Sequence, residues 1–421
     1  MSARLAAAVA LLLLTGALVA VVAVTTPWRP LGTPPGGRVP VDVSRDFSGT
    51  QVQREQAFHR ALRPGSFTRL GVGLAVALAL GLTPLGARLI DLVARPFGGG
   101  WGWQVALGAL ALSVLGQLVT LPFAIYGETV LRRYGLSTQD WGGWTIDLLK
   151  AFAISAVLSV AVLLGFYAAT RAAPRTWWAW TAAAAAALVF ALSYLFPVVV
   201  EPAFNKFTSM PAGELRDSLI TMARDDGVPV RDVLVADASR RTTSLNAYVS
   251  GLGSTRRIVV YDTLLAKAPP DEVRLIVAHE LGHAKLHDVR TGTVIGALGA
   301  AVACCLAYLL LTWPWLLGRA GVTGAQDGRS VALVFALVAL IGLLTLPAQS
   351  LVSRRIEARA DVHSLDLTRD PATFIESEKR LAATNLSDLR PNPIVYAIFF
   401  SHPTAPERIA MARTWQRLHA R

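Results

Sequence analysis

Hydrophobic positions in this chain gather into long unbroken runs. Seven stand out: Leu5–Thr26, Leu70–Gly86, Trp103–Tyr126, Ala151–Thr170, Trp177–Val200, Thr293–Leu317 and Val331–Val352. Each is close to or above the roughly 20 residues with which a helix crosses a bilayer, and ionisable residues are nearly absent from them. Tryptophans mark several of their ends (Trp101, Trp103, Trp177, Trp178, Trp180, Trp313, Trp315), where amphipathic rings suit the membrane–water boundary. The pattern predicts a polytopic α-helical membrane protein with about seven transmembrane helices.

The polar stretches between the runs carry the rest of the organisation. PWRPLGTPPGGRVP, residues 27–40, reads as an extended linker because proline and glycine defeat regular structure. Thr50–Leu62 has a helical period with a mixed polar face and reads as a surface helix. Two hydrophilic blocks, 201–291 and 353–421, together have the size of one soluble domain. We therefore expect a membrane region over 1–200, with five spans and a linker and helix at 27–69. A catalytic or binding domain over 201–421 follows, interrupted by two spans (about 293–317 and 331–352). Glu214–Asp226 is predicted as a helix, Val228–Val235 as a strand, and NAYVSGLGSTRRIVVY (246–261) as a β-hairpin around a glycine-rich turn. This makes a mainly α domain carrying a small hairpin or sheet.

Composition agrees and adds orientation. The 421 residues are 53% hydrophobic and only 16% charged, against about a quarter charged in soluble domains. The net charge of +12 is spread through the loops and forms no single basic patch, which argues against a nucleic-acid partner. The 27–69 loop holds seven arginines, and Arg132, Arg133 and Lys150 lie in the third loop. The positive-inside bias puts these loops, 201–291 and the C-terminus in the cytoplasm. The alanine- and arginine-rich composition points to a bacterial plasma membrane. Leu5–Thr26 after Arg4 also fits a cleaved signal peptide, but cleavage would leave the arginine-rich loop outside. The adjacent pair Cys304 and Cys305 lies within a run and suits packing.

Three of the seven histidines fall within VAHELGHAKLHD, 277–288. The preceding Pro270, Asp271 and Glu272 suit a helix N-terminus. On that helix His279 and His283, four apart, share a face and reach one ion, while Glu280 lies beside the first ligand where a base for an attacking water is needed. Chance alone produces this spacing in on the order of one chain in a hundred of this length. His287 lies about 12 Å of helical rise from His279. It cannot join the same ion unless the helix breaks, so it reads as a surface or supporting group. A catalytic zinc takes three protein ligands and keeps one position open. SRRIEARADVHSLDL (353–367) supplies the candidate third ligand, Glu357, with Asp361 one turn on to orient a ligating histidine. Taken alone, that stretch reads better as a solvated charged face.

HELGH on one helix, EARAD after a later span, NAYVSGLG upstream and SHPTAPERI (401–409) near the end come in a characteristic order. With EPAFNKF (201–207), LPFAIYGETVLRRYGLSTQ (121–139) and RRIVVYDTLL (256–265), the chain resembles the type I CAAX prenyl protease family of integral-membrane zinc metallopeptidases, from about Phe47 onward. The resemblance implies a membrane zinc endopeptidase with one Zn2+ per chain held by His279, His283 and Glu357, and Glu280 as catalytic glutamate. It also implies active-site roles for Asp361, Asn246, His402 and Arg408, the last two as candidate stabilisers of an oxyanion. Asn246 equally starts a hairpin turn, His402 precedes a proline, and Arg408 has carboxylates or lipid headgroups as other partners. Ala247–Ser250 is a candidate edge for adding a peptide strand. We expect a monomer acting on peptides or proteins at the bilayer. An HtpX-like quality-control protease, and a transporter or receptor with a structural metal, are the alternatives.

Overall fold

The computed structural model describes residues 2–251 and 253–420. Among them, seven helices are long and apolar enough to cross a membrane: Ala3–Thr25, Gly49–Gly81, Trp101–Arg133, Trp141–Ala172, Trp177–Leu195, Asp288–Leu310 and the seventh, within Gly328–Thr368. Each corresponds to one of the predicted runs. The chain is a multi-pass membrane protein, and its sheet is small. The first helix packs along the sixth, and its Ala7 is buried in a cluster with Trp177, Tyr308 and Leu333.

Two predicted boundaries move. The surface helix expected at Thr50–Leu62 and the second run are one continuous 33-residue helix, Gly49–Gly81, which tolerates Pro64 in its interior. The helix Val331–Thr368 likewise runs 38 residues without interruption, about 57 Å, so it reaches well beyond a hydrocarbon core of about 30 Å. A single rod thus crosses the membrane and carries Glu357 and Asp361 out of it. Hydrophobic runs mark where lipid begins and ends; they do not mark where a helix stops.

Close helix approach in the membrane region rests on small residues, the usual device where lipid removes the hydrophobic drive for association. Gly81 and Gly86 face Ala332 and Ala336 of the seventh span. A Cβ at Gly81 would overlap that of Ala336 and come within 2.6 Å of the Ala332 carbonyl oxygen.

The extramembrane portion is built on a four-stranded sheet of β1 (Phe207–Ser209), β2 (Asp232–Ala236), β3 (Ala247–Ser250) and β4 (Arg257–Tyr261), in the order β1-β2-β4-β3. β2 and β4 are parallel, β1 is antiparallel to β2, and β3 pairs antiparallel with β4 as the predicted hairpin. β3 is left as a sheet edge. Its turn depends on Gly251 at φ 86°, where a Cβ would lie 2.5 Å from the Thr255 carbonyl oxygen. The helix Pro270–Lys285 lays Val273, Val277 and Leu281, spaced by four, against Val233, Ile258 and Val260 of the sheet.

The polar segment after the first span wraps back onto this domain. Leu31 joins the cluster of Leu275, Phe374 and Trp415, the Val39 amide donates to Thr414 Oγ1 at 3.0 Å, and Asp46 pairs with Arg413. Residues 135–138 of the loop after the third span hydrogen-bond residues 239–243, including Thr138 Oγ1 to the Ser239 carbonyl at 2.7 Å. The membrane-spanning and extramembrane portions are therefore tied at two separate places.

Gly81→Leu should lower the thermal midpoint of the detergent-purified protein, at a cost of about 1–3 kcal/mol from overpacking. An unchanged midpoint would mean that the second and seventh spans can part freely.

Candidate active site

The site forms where two helices cross: Pro270–Lys285, and the extramembrane end of Val331–Thr368. The first brings His279 and His283 to one face; the second brings Glu357. Their ligand atoms converge. His279 Nε2 and His283 Nε2 are 3.2 Å apart, Glu357 Oε2 is 3.3 Å from the first, and Glu357 Oε1 is 3.7 Å from the second. Ligands bonded to one tetrahedral ion at about 2.1 Å stand about 3.4 Å from one another. The buried Glu357 Oε2 also has no partner in hydrogen-bond geometry, despite two histidine nitrogens at 3.3 Å. Two imidazole nitrogens and a carboxylate drawn to one point, with a buried carboxylate oxygen left unpartnered, are what a metal site looks like from its protein side, so the residues fit the ion.

The opposite nitrogen of each imidazole is held by a carboxylate. His279 Nδ1 lies 2.8 Å from Asp361 Oδ1, and His283 Nδ1 lies 2.9 Å from Asp288 Oδ2. Such pairs fix ring orientation and tautomer and leave Nε2 free for a metal. They also act on charge. Burial opposes ionisation of His279, but Asp361 and Glu357 outweigh it and raise the group to about 9. Burial opposes ionisation of His283 as well, but Asp288 and Glu357 outweigh it and raise the group to about 10, so a metal that binds either Nε2 displaces a proton. Burial pushes the Glu280 carboxyl above its ordinary value, in the direction that suits a base working near neutrality.

The supporting shell continues outward. Arg408, from the helix Ala405–His419, donates from Nε to Asp361 Oδ2 at 2.9 Å, and its Nη1 is 2.9 Å from Glu378 Oε1. Asp361 is fully buried, so without this arginine it would be an uncompensated charge. Asp288 is paired in turn with Arg359. His402 Nε2 stands 3.3 Å from Glu357 Oε2 on an exposed loop. Asn246 begins β3, accepts from the Tyr261 amide through its backbone, and lines the same cavity as His279, Glu280 and His402.

Every site residue named from the sequence is thus within this region, although Arg408 is committed to Asp361 and Glu378 behind His279. The helix does break after His283, and it does so without glycine. His287 adopts φ 59°, ψ 35°, and the sixth span starts at Asp288. His287 stays outside the converging group. Asp288 was not foreseen, because it reaches His283 only through this left-handed turn, whereas helical spacing puts positions 283 and 288 on different faces. Glu378 was also missed. So was Asn385, whose side chain both accepts from and donates to the Leu245 backbone beside Asn246. Neither carries a motif.

Two cavities flank Glu280, one of about 460 Å³ beside Asn246 and His402, the other of about 560 Å³ beside Val249, His283 and Glu357. The edge of β3 runs from the first to the second.

Comparison with known proteins finds two profile matches. Residues 209–416 match the profile described as Peptidase family M48, and residues 36–206 match that of the CAAX prenyl protease N-terminal region with five membrane helices. The chain is similar to an uncharacterized metalloprotease, YhfN, of Bacillus subtilis, with 29% identity over 72% of this chain and 71% of that one. It is 27% identical to CAAX prenyl protease 1 of Saccharomyces cerevisiae, over 80% and 76%. The homologue of that protease in Arabidopsis thaliana is 28% identical, over 70% and 69%. The crystal structure of S. mikatae Ste24p superposes with a TM-score of 0.80, covering 98% of this chain and 99% of that one at 20% identity. That likeness is one of fold.

Asp288→Asn should weaken metal affinity about 10- to 100-fold while leaving the three donors in place. Competition against a chelating dye would measure it, and unaltered affinity would remove Asp288 from the site's support.

Proposed function

The chain belongs to peptidase family M48, in its CAAX-prenyl-protease-like membrane branch, and from that premise we propose that it is a zinc endopeptidase whose metal is held by His279, His283 and Glu357. The observation that carries the metal assignment is the convergence of two Nε2 atoms and one carboxylate within 3.7 Å, each imidazole backed by its own acid. Two nitrogens and one oxygen donor suit zinc, and three protein ligands leave a position open for chemistry. A closed structural site would need a fourth. As a metalloendopeptidase the chain is not a transporter or receptor, and its five-helix N-terminal match favours the CAAX-type reading over the HtpX-like one.

A bound zinc would supply Lewis acidity, lowering the pKa of water and polarising the scissile carbonyl. The protein supplies the rest. Glu280 takes a proton from the attacking water as its oxygen bonds to the carbonyl carbon. The same carboxyl then delivers that proton to the departing amine nitrogen as the C–N bond breaks. The edge of β3 accepts the peptide as an added strand, with Asn246 at the near end fixing its register. His402, exposed and beside Glu357, is placed to donate to the developing oxyanion. Arg408 acts at one remove by keeping Asp361 charged and His279 oriented. The substrate is a peptide presented at the membrane, since the sixth span starts five residues after His283. The charge bias over the loops supports a cytoplasmic site in a bacterial plasma membrane, with 1–200 as membrane region and 201–421 as peptidase.

The test pairs wild type with Glu280→Gln and measures bound zinc and cleavage of a peptide library, with and without a farnesylated CAAX peptide. Zinc in both with cleavage in wild type alone is expected; loss of zinc in Glu280→Gln would undo the division of roles. A drop of at least about 100-fold in kcat is expected for that variant. Glu357→Ala should instead lose the metal.

A further inference from the structure

The larger of the two cavities has a charge that the reaction does not use. Arg256, from the turn before β4, and His287 and Arg290, around the start of the sixth span, all line it. Among the described residues none of the three side chains has a hydrogen-bond or ion-pair partner. The carboxylates at the floor of the cavity are engaged elsewhere. Asp288 is bonded to His283 and Arg359, Glu357 belongs to the converging donors, and Glu280 is the base. Arg359 and Arg408, by contrast, are paired, the first with Asp288 and the second with Asp361 and Glu378. Of the two cavities that flank Glu280, this one carries the cations without partners among the described residues.

The cavity also lies on the path a substrate takes. Asn246 at the start of β3 lines the smaller cavity, Val249 and Gly251 at its end line the larger, and Glu280 lines both. A peptide lying along the open edge of β3 has its scissile bond near Glu280. Its residues to one side then fall among Arg256, His287 and Arg290. Side chains in an added strand alternate in direction, so every second residue on that side points toward the cavity.

We propose that this cavity is a specificity subsite for an acidic side chain, an aspartate or glutamate of the substrate, recognised by Arg256, His287 and Arg290. The proposal rests on the endopeptidase reading above. Guanidinium groups bind carboxylates through paired N–H donors, and an unpartnered pair can engage one without first breaking an existing ion pair.

The test uses full-length, zinc-loaded protein in detergent and peptides blocked at both termini, so that only side chains carry charge. Matched pairs differ by Glu against Gln, or Asp against Asn, at each position on either side of the cleaved bond. Wild type should prefer the acidic member in kcat/KM by on the order of fivefold, at positions on one side only, and the preference should shrink as salt is raised. The ratio, read within each variant, should fall toward one in Arg256→Gln and Arg290→Gln. Arg290→Glu should turn the preference toward lysine-bearing peptides. Equal cleavage of each pair by wild type would overturn the subsite and leave the protease standing. A preference untouched by either arginine variant would place the recognition elsewhere. Failure to cleave any peptide, with zinc bound, would sink the endopeptidase reading and the subsite with it.

Discussion

The crossing of two helices at the metal site is the constraint on which the rest depends. Two imidazole nitrogens and a carboxylate sit within 3.7 Å of one another, close enough to share one ion. It persists because each group is anchored from behind. His279 leans on Asp361, which leans on Arg408, which leans on Glu378; His283 leans on Asp288, which leans on Arg359. Each link is a buried or half-buried charge pair, costly to break because the remaining partner would be left uncompensated. These pairs place the donor atoms more than they add stability.

The membrane enters the same logic. The helix that carries Glu357 and Asp361 is the seventh span extended, and the helix carrying both histidines turns at His287 directly into the sixth. Any tilt of either span relative to the other would move the donors apart. The glycine and alanine contacts that seat the seventh span against the second, and the strap of residues 27–47 across the C-terminal helices, limit that tilt. Catalytic geometry and transmembrane packing are therefore one problem in this fold, and the peptidase portion has no span-free version of its own active site.

Substrate handling divides more simply. The sheet contributes one open edge, β3, and the two cavities lie at its ends. In the proposed reading a peptide pairs along this edge, and because backbone pairing is indifferent to side chains, discrimination falls to what lines the cavities. On one side these are Asn246, His402 and apolar groups such as Phe399 and Leu381; on the other, cations without partners.

Much of this was legible in the sequence, because local physics wrote it there. Seven apolar runs report lipid, the 3.6-residue period puts His279 and His283 on one face, and a glycine-rich turn between β-branched stretches reports a hairpin. What the linear pattern could not contain is the relation between segments remote along the chain. Glu357 is 74 positions beyond His283 by its number and reads alone as part of a charged face; only the crossing of two helices makes it a ligand candidate. Asp288 reaches His283 through a left-handed residue that no glycine announces. Glu378 and Asn385 do their work by contacts with residues 30 and 140 positions away, Arg408 and Leu245. Periodicity along the chain decides which way a side chain faces. What it meets there is decided by packing, and in this protein the packing of two spans decides the site.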